Sequence, residues 1–251
     1  MKTPSMIIFD YGQTLGYEPG FDLMRGYNEL HKHITKNPDN ITAAELKQFS
    51  DRIFQLQRDV LHTGYEPHEH QGIRATLEYY GVELDVDMAE AERIIWDNTA
   101  IGAIMPHADE LLEYLGDNGI RYGVISNIGW SGKALSDRLN RLFPDNRFEF
   151  VIASSEYGIR KPNRMIFDIA LRKAALSADE VWYCGDSIAN DVHGAISAGM
   201  TPVLYECHVE GGMPHDNSAL YGSCEYLHIH DWQELIAELS RISRAEKEIL
   251  L

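Results

Sequence analysis

The sequence is short of cysteine, of positive charge and of long apolar runs, and each shortage removes a class of protein from consideration. Only three cysteines occur in 251 residues, Cys184, Cys207 and Cys224. They are odd in number and form no CxxC pair, which argues against a disulfide framework and fits a reducing cytosol. Lys and Arg number 22 against 39 Asp and Glu, for a net charge of −17. A field of that sign repels nucleic acid and anionic membrane surfaces, so neither is expected as a partner. It also repels anionic substrates, so any phosphate site must supply its own local cations. No apolar run approaches the ~18 residues that a membrane span needs. The apolar run near the start is too short for a signal peptide and ends at an aspartate. A cytoplasmic protein is the expectation. No internal repeat or low-complexity segment stands out, and nothing in the sequence indicates an oligomeric state.

What is present is ordinary in bulk and organised in pattern. Hydrophobic residues make up 44% and charged residues 24% of the chain, as in soluble globular proteins. The length suits one large domain or a core with a smaller partner. "SMIIFDYG" reads as a buried strand closed by glycine. The pattern then turns helical. "FDLMRGYNELHKHI" and "TAAELKQFSDRIFQLQRDVL" carry apolar residues at three- and four-residue steps. Thr42 and Glu45 suit a capping box, and Gly81 sits where a helix stops. No convincing strand occurs in this block. After Pro106 strands and helices alternate: "RYGVISN", "FEFVIAS", "VWYCGD", "TPVLYE" and "EYLHIH" are strands separated by helical stretches. Such alternation builds a parallel sheet covered on both faces. The expected fold is therefore a doubly wound, Rossmann-like α/β core formed by residues 1–16 and 104–251. An all-helical cap, residues 17–103, is inserted just after the first strand. "ECHVEGGMPHDNSALYGSCEY" is read as a long surface loop.

Ligands of open parallel sheets bind at the carboxyl ends of the strands. Strand one ends at Asp10, followed by Tyr11, Gly12 and Thr14. "GVISNIG" delivers Ser126 and Asn127. "VIASSEYGIRKP" delivers Arg160 and Lys161, and "VWYCGDSIAND" delivers Asp186 and Asp191. Asp10 can act as a nucleophile or as a metal ligand. Asp186 can join it as a second hard oxygen for Mg²⁺, and Asp191 can support the ion's water shell. Lys161 is a point cation for phosphoryl oxygens, and the Ser126 hydroxyl with nearby backbone N–H groups can hold the rest.

"DYGQT", "SN", "RKP" and "GDSIAND" fall in the order and spacing of the four motifs of the haloacid dehalogenase-like hydrolases, and almost the whole chain resembles that family. The cap resembles its helical C1 type. The resemblance implies a Mg²⁺-dependent phosphohydrolase of a small phosphorylated metabolite. Asp10 would be the nucleophile that forms an aspartyl-phosphate. Ser126 would bind phosphate and Lys161 would stabilise charge. Asp10, the Gly12 carbonyl, Asp186 and Asp191 would hold the metal. Tyr11, Gly12, Asn127 and Arg160 complete the candidate phosphate-binding set.

Gly12 departs from the pattern. Phosphatases of the family usually carry a second aspartate there, which protonates the leaving oxygen and then deprotonates the attacking water. Such positioned acid–base groups contribute roughly 10²–10⁴-fold. Three explanations compete. A cap residue supplies the proton, with Glu18, His31, His33, His62, His68 and His70 as candidates. The leaving group needs no proton. Or the protein is a catalytically weak binder of phosphorylated ligands. The branch that cleaves C–P bonds also lacks the second aspartate, but needs a cap lysine, and Lys32, Lys36 and Lys47 all read as solvated helix faces.

Each residue also has a plainer reading. Asp10 could form a turn, Ser126 and Asn127 could cap the following helix, Lys161 could be a surface charge, and Asp191 could favour a helix dipole. "HEH" at 68–70 and the group Cys207, His208 and His215 lack zinc spacing and are read as loops. Tyr79, Tyr80 and Trp96 read as cap packing.

Overall fold

Strand β1 (Met6–Phe9) is fully buried because it lies in the middle of a sheet covered on both sides. Residues 2–249 are described by the computed structural model. Ile7 and Phe9 enter one core and Met6 and Ile8 the other, as the two-residue period of a strand requires. Along the chain follow β2 (Gly16–Tyr17), helix α1 (Leu23–His31), β3 (Ile34–Lys36), α2 (Ala43–Arg58) and α3 (Glu69–Tyr79). Next come β4 (Glu83–Leu84), α4 (Met88–Thr99) and β5 (Ala103–Ile104). The remainder alternates through α5 (Ala108–Asp117), β6 (Arg121–Ser126), α6 (Gly132–Leu142), β7 (Val151–Ala153) and α7 (Arg164–Ala174). It ends with β8 (Val181–Gly185), α8 (His193–Ala198), β9 (Thr201–Tyr205), β10 (Leu227–Ile229) and α9 (Trp232–Ile249).

The main sheet has the order β10-β9-β8-β1-β6-β7, and every adjacent pair is parallel. The order reverses at β1, with β6 and β7 on one side and β8 to β10 on the other. A switch point of this kind opens a crevice at the carboxyl ends of the strands. Leucines of α5, α6 and α9 cover one face, and residues of α7 and α8 cover the other. This is the doubly wound α/β architecture that the alternating pattern predicts.

The inserted segment packs around its own apolar centre, including Tyr27, Leu46, Ile73 and Ile95. Helices α1 and α4 approach so closely that a Cβ at Gly26 would stand 2.6 Å from Thr99 Oγ1. The predicted capping box is present, with Glu45 Oε2 accepting from Thr42 N at 2.8 Å. Contrary to the sequence reading, the segment also holds strand: β3 pairs antiparallel with β4, and β2 with β5 where the chain leaves and re-enters the core. Strands of two or three residues are too short to show an alternating pattern, so the sequence hides them. The "HEH" stretch is not loop either. His68 caps α3, its Nδ1 accepting from His70 N at 3.1 Å.

The two linkers are clamped by Arg138 of α6, which is buried. Its guanidinium reaches Glu18 at 2.6 Å and the carbonyl oxygen of Ala100 at 2.7 Å, and lies 3.8 Å from the ring centroid of Trp96. Glu18 also accepts from Trp96 Nε1 at 2.7 Å. Trp96, read from sequence as cap packing, lies instead in the core cluster with Tyr11 and Leu135 and stacks on Trp130 with centroids 5.1 Å apart, a partner 34 residues away that no local pattern announces. Among the described residues, no helix is long and apolar enough to cross a membrane.

Candidate active site

Asp10 leaves β1 at the switch point, its N–H donating to Cys184 O at 2.9 Å. Its carboxylate meets Lys161, with Nζ and Oδ1 2.9 Å apart. Lys161 is buried, so it is no surface charge. Its ammonium also contacts Asp191 Oδ1 at 2.7 Å, the Tyr183 hydroxyl at 2.9 Å and Ile125 O at 3.2 Å. A buried ammonium among two carboxylates and two neutral oxygens is held as a brace between Asp10 and Asp191.

Local structure sets this brace. The Asn127 side chain grips the backbone of Lys161, accepting from its N at 2.7 Å and donating to its O at 3.0 Å. Asn127, read from sequence as a phosphate contact, spends its amide on positioning Lys161. Neither it nor Ser126 caps the next helix, since Ser131 does so. Asp191 sits on a single π-helical turn, Ile188–Val192, a widened turn often found at functional sites. Ser187 N donates to its second oxygen at 3.0 Å.

Asp10, Asp186 and Asp191 are buried, and one oxygen from each lies within 4.8 Å of the others. Burial pushes Asp186 up to about 9, reinforced by repulsion from Asp10 and Asp191. Burial also raises Asp10, against the pull of Lys161. Burial alone would lower Lys161, yet Asp10 and Asp191 hold it above its usual value. One ammonium does not balance three carboxylates. Asp186 Oδ2 is buried without a hydrogen-bond partner, and an orphaned buried carboxylate oxygen is costly. A hard dication with oxygen ligands fits this donor set on both counts.

These residues line a cavity of about 340 Å³ together with Gly12, Ser126 and Arg160. Ser126 is buried at the end of β6. Arg160 points toward the cap, its Nε 3.6 Å from Glu66 Oε2 and its N–H on Gly64 O at 3.1 Å. The Tyr11 ring turns away into the core, edge-on to Trp96 with its hydroxyl buried, so only its backbone is free to serve a ligand. Around Gly12 there is open space: a Cβ built there meets nothing within 4 Å.

The candidate proton carriers of the inserted segment are mostly elsewhere. Glu18 lines the cavity, but is engaged by Arg138 and Trp96. His31 contacts Ile41 O, His33 pairs with Asp85 and His70 with Glu92. His62 and His68 do not line the cavity. Lys32, Lys36 and Lys47 pair on the surface with Glu29, Glu83 and Asp51, and none lines it. Among the cavity residues to which the sequence reading gave no role are Met213 and His215, on the loop after β9. Asn217 tethers that loop, donating to Asp186 O at 2.8 Å and accepting from Ile188 N at 2.8 Å. An asparagine two residues after a histidine carries no such signal in sequence.

A family model for haloacid dehalogenase-like hydrolases matches residues 37–204. A glyceraldehyde 3-phosphate phosphatase of Methanocaldococcus jannaschii is 29% identical over 78% of this chain and 82% of its own. Another, from Methanopyrus kandleri, is 30% identical over 51% of this chain and 54% of its own. The chain spans about half the length of the first curated relatives it matches, 54%, 48% and 43%. Among solved structures, a 2-haloacid dehalogenase from Pseudomonas syringae superposes with a TM-score of 0.60 at 22% identity, covering 96% of this chain and 99% of that one. A phosphatase from Thermococcus onnurineus does so with 0.59 at 21%, covering 95% and 98%. At such identities these two structures speak for the fold alone.

Proposed function

The chain belongs to the haloacid dehalogenase-like hydrolases, and from that premise we propose that it is a Mg²⁺-dependent phosphohydrolase of a small phosphorylated metabolite, working through an aspartyl-phosphate at Asp10 beneath a cap of residues 17–103. The observation that carries this reading is the group of Asp10, Lys161, Asp186 and Asp191 at the carboxyl ends of the central strands, opening on one cavity. The relatives named glyceraldehyde 3-phosphate phosphatase support the substrate class and make triose phosphates the first compounds to try.

In this reading Asp10, Asp186, Asp191 and the Gly12 carbonyl would hold Mg²⁺, which would supply positive charge to the carboxylates and the phosphoryl group. Lys161 fixes Asp10 and Asp191 so that a free Asp10 oxygen faces phosphorus. The Ser126 hydroxyl and the N–H groups after Asp10 bind phosphoryl oxygens. Arg160 supplies the cation that a chain of net charge −17 otherwise withholds from an anion. Asp10 attacks phosphorus, the ester oxygen departs, and water then cleaves the aspartyl-phosphate. The cap excludes bulk water and selects the substrate.

The absence of a carboxylate at residue 12 favours one alternative, a phosphate-ligand binder with weak turnover. A C–P bond hydrolase finds no lysine in the cavity lining besides Lys161, which is already committed to the carboxylates. The deciding experiment is hydrolysis of p-nitrophenyl phosphate with and without Mg²⁺, wild type beside Asp10→Asn. Turnover that needs both Mg²⁺ and Asp10 is expected. A folded, Mg²⁺-loaded protein that forms neither product nor a phosphorylated enzyme overturns the phosphohydrolase and leaves the binder.

A further inference from the structure

A second cluster of metal-ligating side chains lies at the edge of the sheet. Glu206 follows directly on β9, His228 lies within the edge strand β10, and His230 stands one residue past its end. A spacing of two places both imidazoles on one face of a strand, and their centroids are 4.5 Å apart. Glu206 N donates to Ile229 O at 2.9 Å, which fixes the carboxylate beside the two rings. One donor atom from each residue lies within 4.8 Å of the others.

The cluster is oriented from outside. Asn217 Nδ2 donates to Glu206 Oε1 at 2.7 Å, and the Tyr221 hydroxyl lies 2.8 Å from both carboxylate oxygens. Oε2 faces His228 Nε2 at 2.7 Å, yet that buried nitrogen has no partner in hydrogen-bond alignment. The His228 ring is set by Tyr221 and Tyr226, at 6.1 and 6.0 Å between centroids. Glu206 and His228 thus already touch at ion-pair distance, in a pair held from outside by Asn217 and Tyr221.

We propose that Glu206, His228 and His230 bind a borderline divalent transition metal ion, of the zinc or cobalt class, which pins β10 to β9. Two imidazoles and one carboxylate match the nitrogen–oxygen set of such ions and not the all-oxygen set of Mg²⁺. Outer partners such as Asn217 and Tyr221 are what orient a ligating carboxylate. At bond lengths of ~2.0–2.2 Å, donors on a tetrahedral ion stand about 3.4 Å apart. The 2.7 Å pair of Glu206 Oε2 and His228 Nε2 therefore has to open by about 0.7 Å to admit the ion, and the exposed ring of His230 adjusts to it. A fourth position stays open to solvent. The ion would also act on the active site, because Asn217 donates from the same amide nitrogen to Asp186 O at 2.8 Å. A fixed Glu206 holds Asn217, and Asn217 holds the backbone of Asp186.

The test uses the whole protein, stripped with EDTA and returned to excess Mg²⁺ so that the aspartate cluster is filled. Co²⁺ is then titrated, read by visible absorption and calorimetry, in wild type, His230→Ala and Glu206→Gln. One equivalent is expected to bind with the intense bands of a four-coordinate ion, and to raise the melting temperature. Both variants are expected to weaken that binding by about tenfold or more. His230 is exposed and makes no hydrogen bond through its ring among the described residues, so His230→Ala tests the site without disturbing the fold. A change smaller than tenfold in His230→Ala, or no Co²⁺ binding below the millimolar range, overturns the proposal.

Discussion

Gly185 and Asp191 claim the same space: a Cβ built on Gly185 would stand 2.6 Å from Asp191 Cβ. The strand β8 ends in glycine because the chain folds back there and lays the carboxylate that pairs with Lys161 against its own backbone. Gly185→Ala is expected to displace Asp191 and loosen its 2.7 Å contact with Lys161. Overpacking of this kind costs about 1–3 kcal/mol, and misplacing a metal-supporting carboxylate about 10–100-fold in affinity. The Mg²⁺ concentration for half-maximal activity and the urea midpoint report the two effects. Wild-type Mg²⁺ affinity in this variant would show that Asp191 plays no part in holding the ion.

Gly12→Asp is expected to add the acid that the chain lacks. The position has room for a side chain, and its φ is not among the left-handed ones. The gain should be larger for alkyl phosphates, whose leaving oxygen needs a proton, than for aryl phosphates, and should fall within the ~10²–10⁴-fold typical of a positioned acid. Paired rate measurements on both substrates decide it. Equal effects, or none, would mean that Gly12 marks no missing acid.

His215 is the residue best placed to stand in for that acid in the present chain, because Asn217 ties its loop across Asp186 at the cavity rim. His215→Asn is expected to slow alkyl phosphate turnover about 10–100-fold while changing aryl phosphate turnover little. Equal effects on the two substrates would mean that His215 does not supply the proton.

The sequence was legible where chemistry and periodicity coincide. Asp10, Ser126, Asp186 and Asp191 lie at or just after a strand end, and Lys161 lies in the loop between β7 and α7; all five line one cavity. What stayed hidden depends on distance in the chain. Lys161 is gripped by Asn127, 34 residues earlier, and Glu18 reaches Arg138 across 120. Met213 and His215 sit on a loop without periodicity, and only the Asn217 contacts bring it to Asp186. The ribbon of β3 and β4 is too short to leave a pattern. No local rule carries such pairings.

Lys161→Met removes the one cation that braces Asp10 and Asp191. Taking one partner from a buried ion pair typically costs ~3–5 kcal/mol, since the remaining charge is left uncompensated. The loss should be largest in EDTA and partly recovered in Mg²⁺, which replaces the missing positive charge. For a chain of this size each kcal/mol moves the melting temperature by roughly 2–4 °C. Melting curves with and without Mg²⁺ measure both quantities. An EDTA melting temperature equal to wild type would mean that Lys161 does not brace the carboxylates.

Glu69 gives the contact between α3 and the loop after β6 a pH dependence. Its N–H donates to Gly129 O at 2.7 Å across that contact. Burial, with repulsion from Glu92, pushes its carboxyl from the usual 4.5 up to about 7. Glu92 is itself engaged by the N–H and hydroxyl of Ser131, both at 2.6 Å, and by His70 at 3.0 Å. The folded chain therefore keeps the Glu69 proton to higher pH than the unfolded chain does. Below pH 4.5 both states are protonated and the group is neutral to stability. As pH rises toward 7 the unfolded state alone releases its proton, and the folded state loses ground until Glu69 ionises too. The full shift corresponds to at most roughly 3–4 kcal/mol, and partial solvent access reduces it to roughly 1–2. Glu69→Gln removes the titration. Urea unfolding should show the variant more stable than wild type at pH 8 by that amount and equal to it near pH 4.5. A difference that does not change with pH would mean that Glu69 ionises in the folded protein as it does in the unfolded chain, with α3 seated on a charged contact.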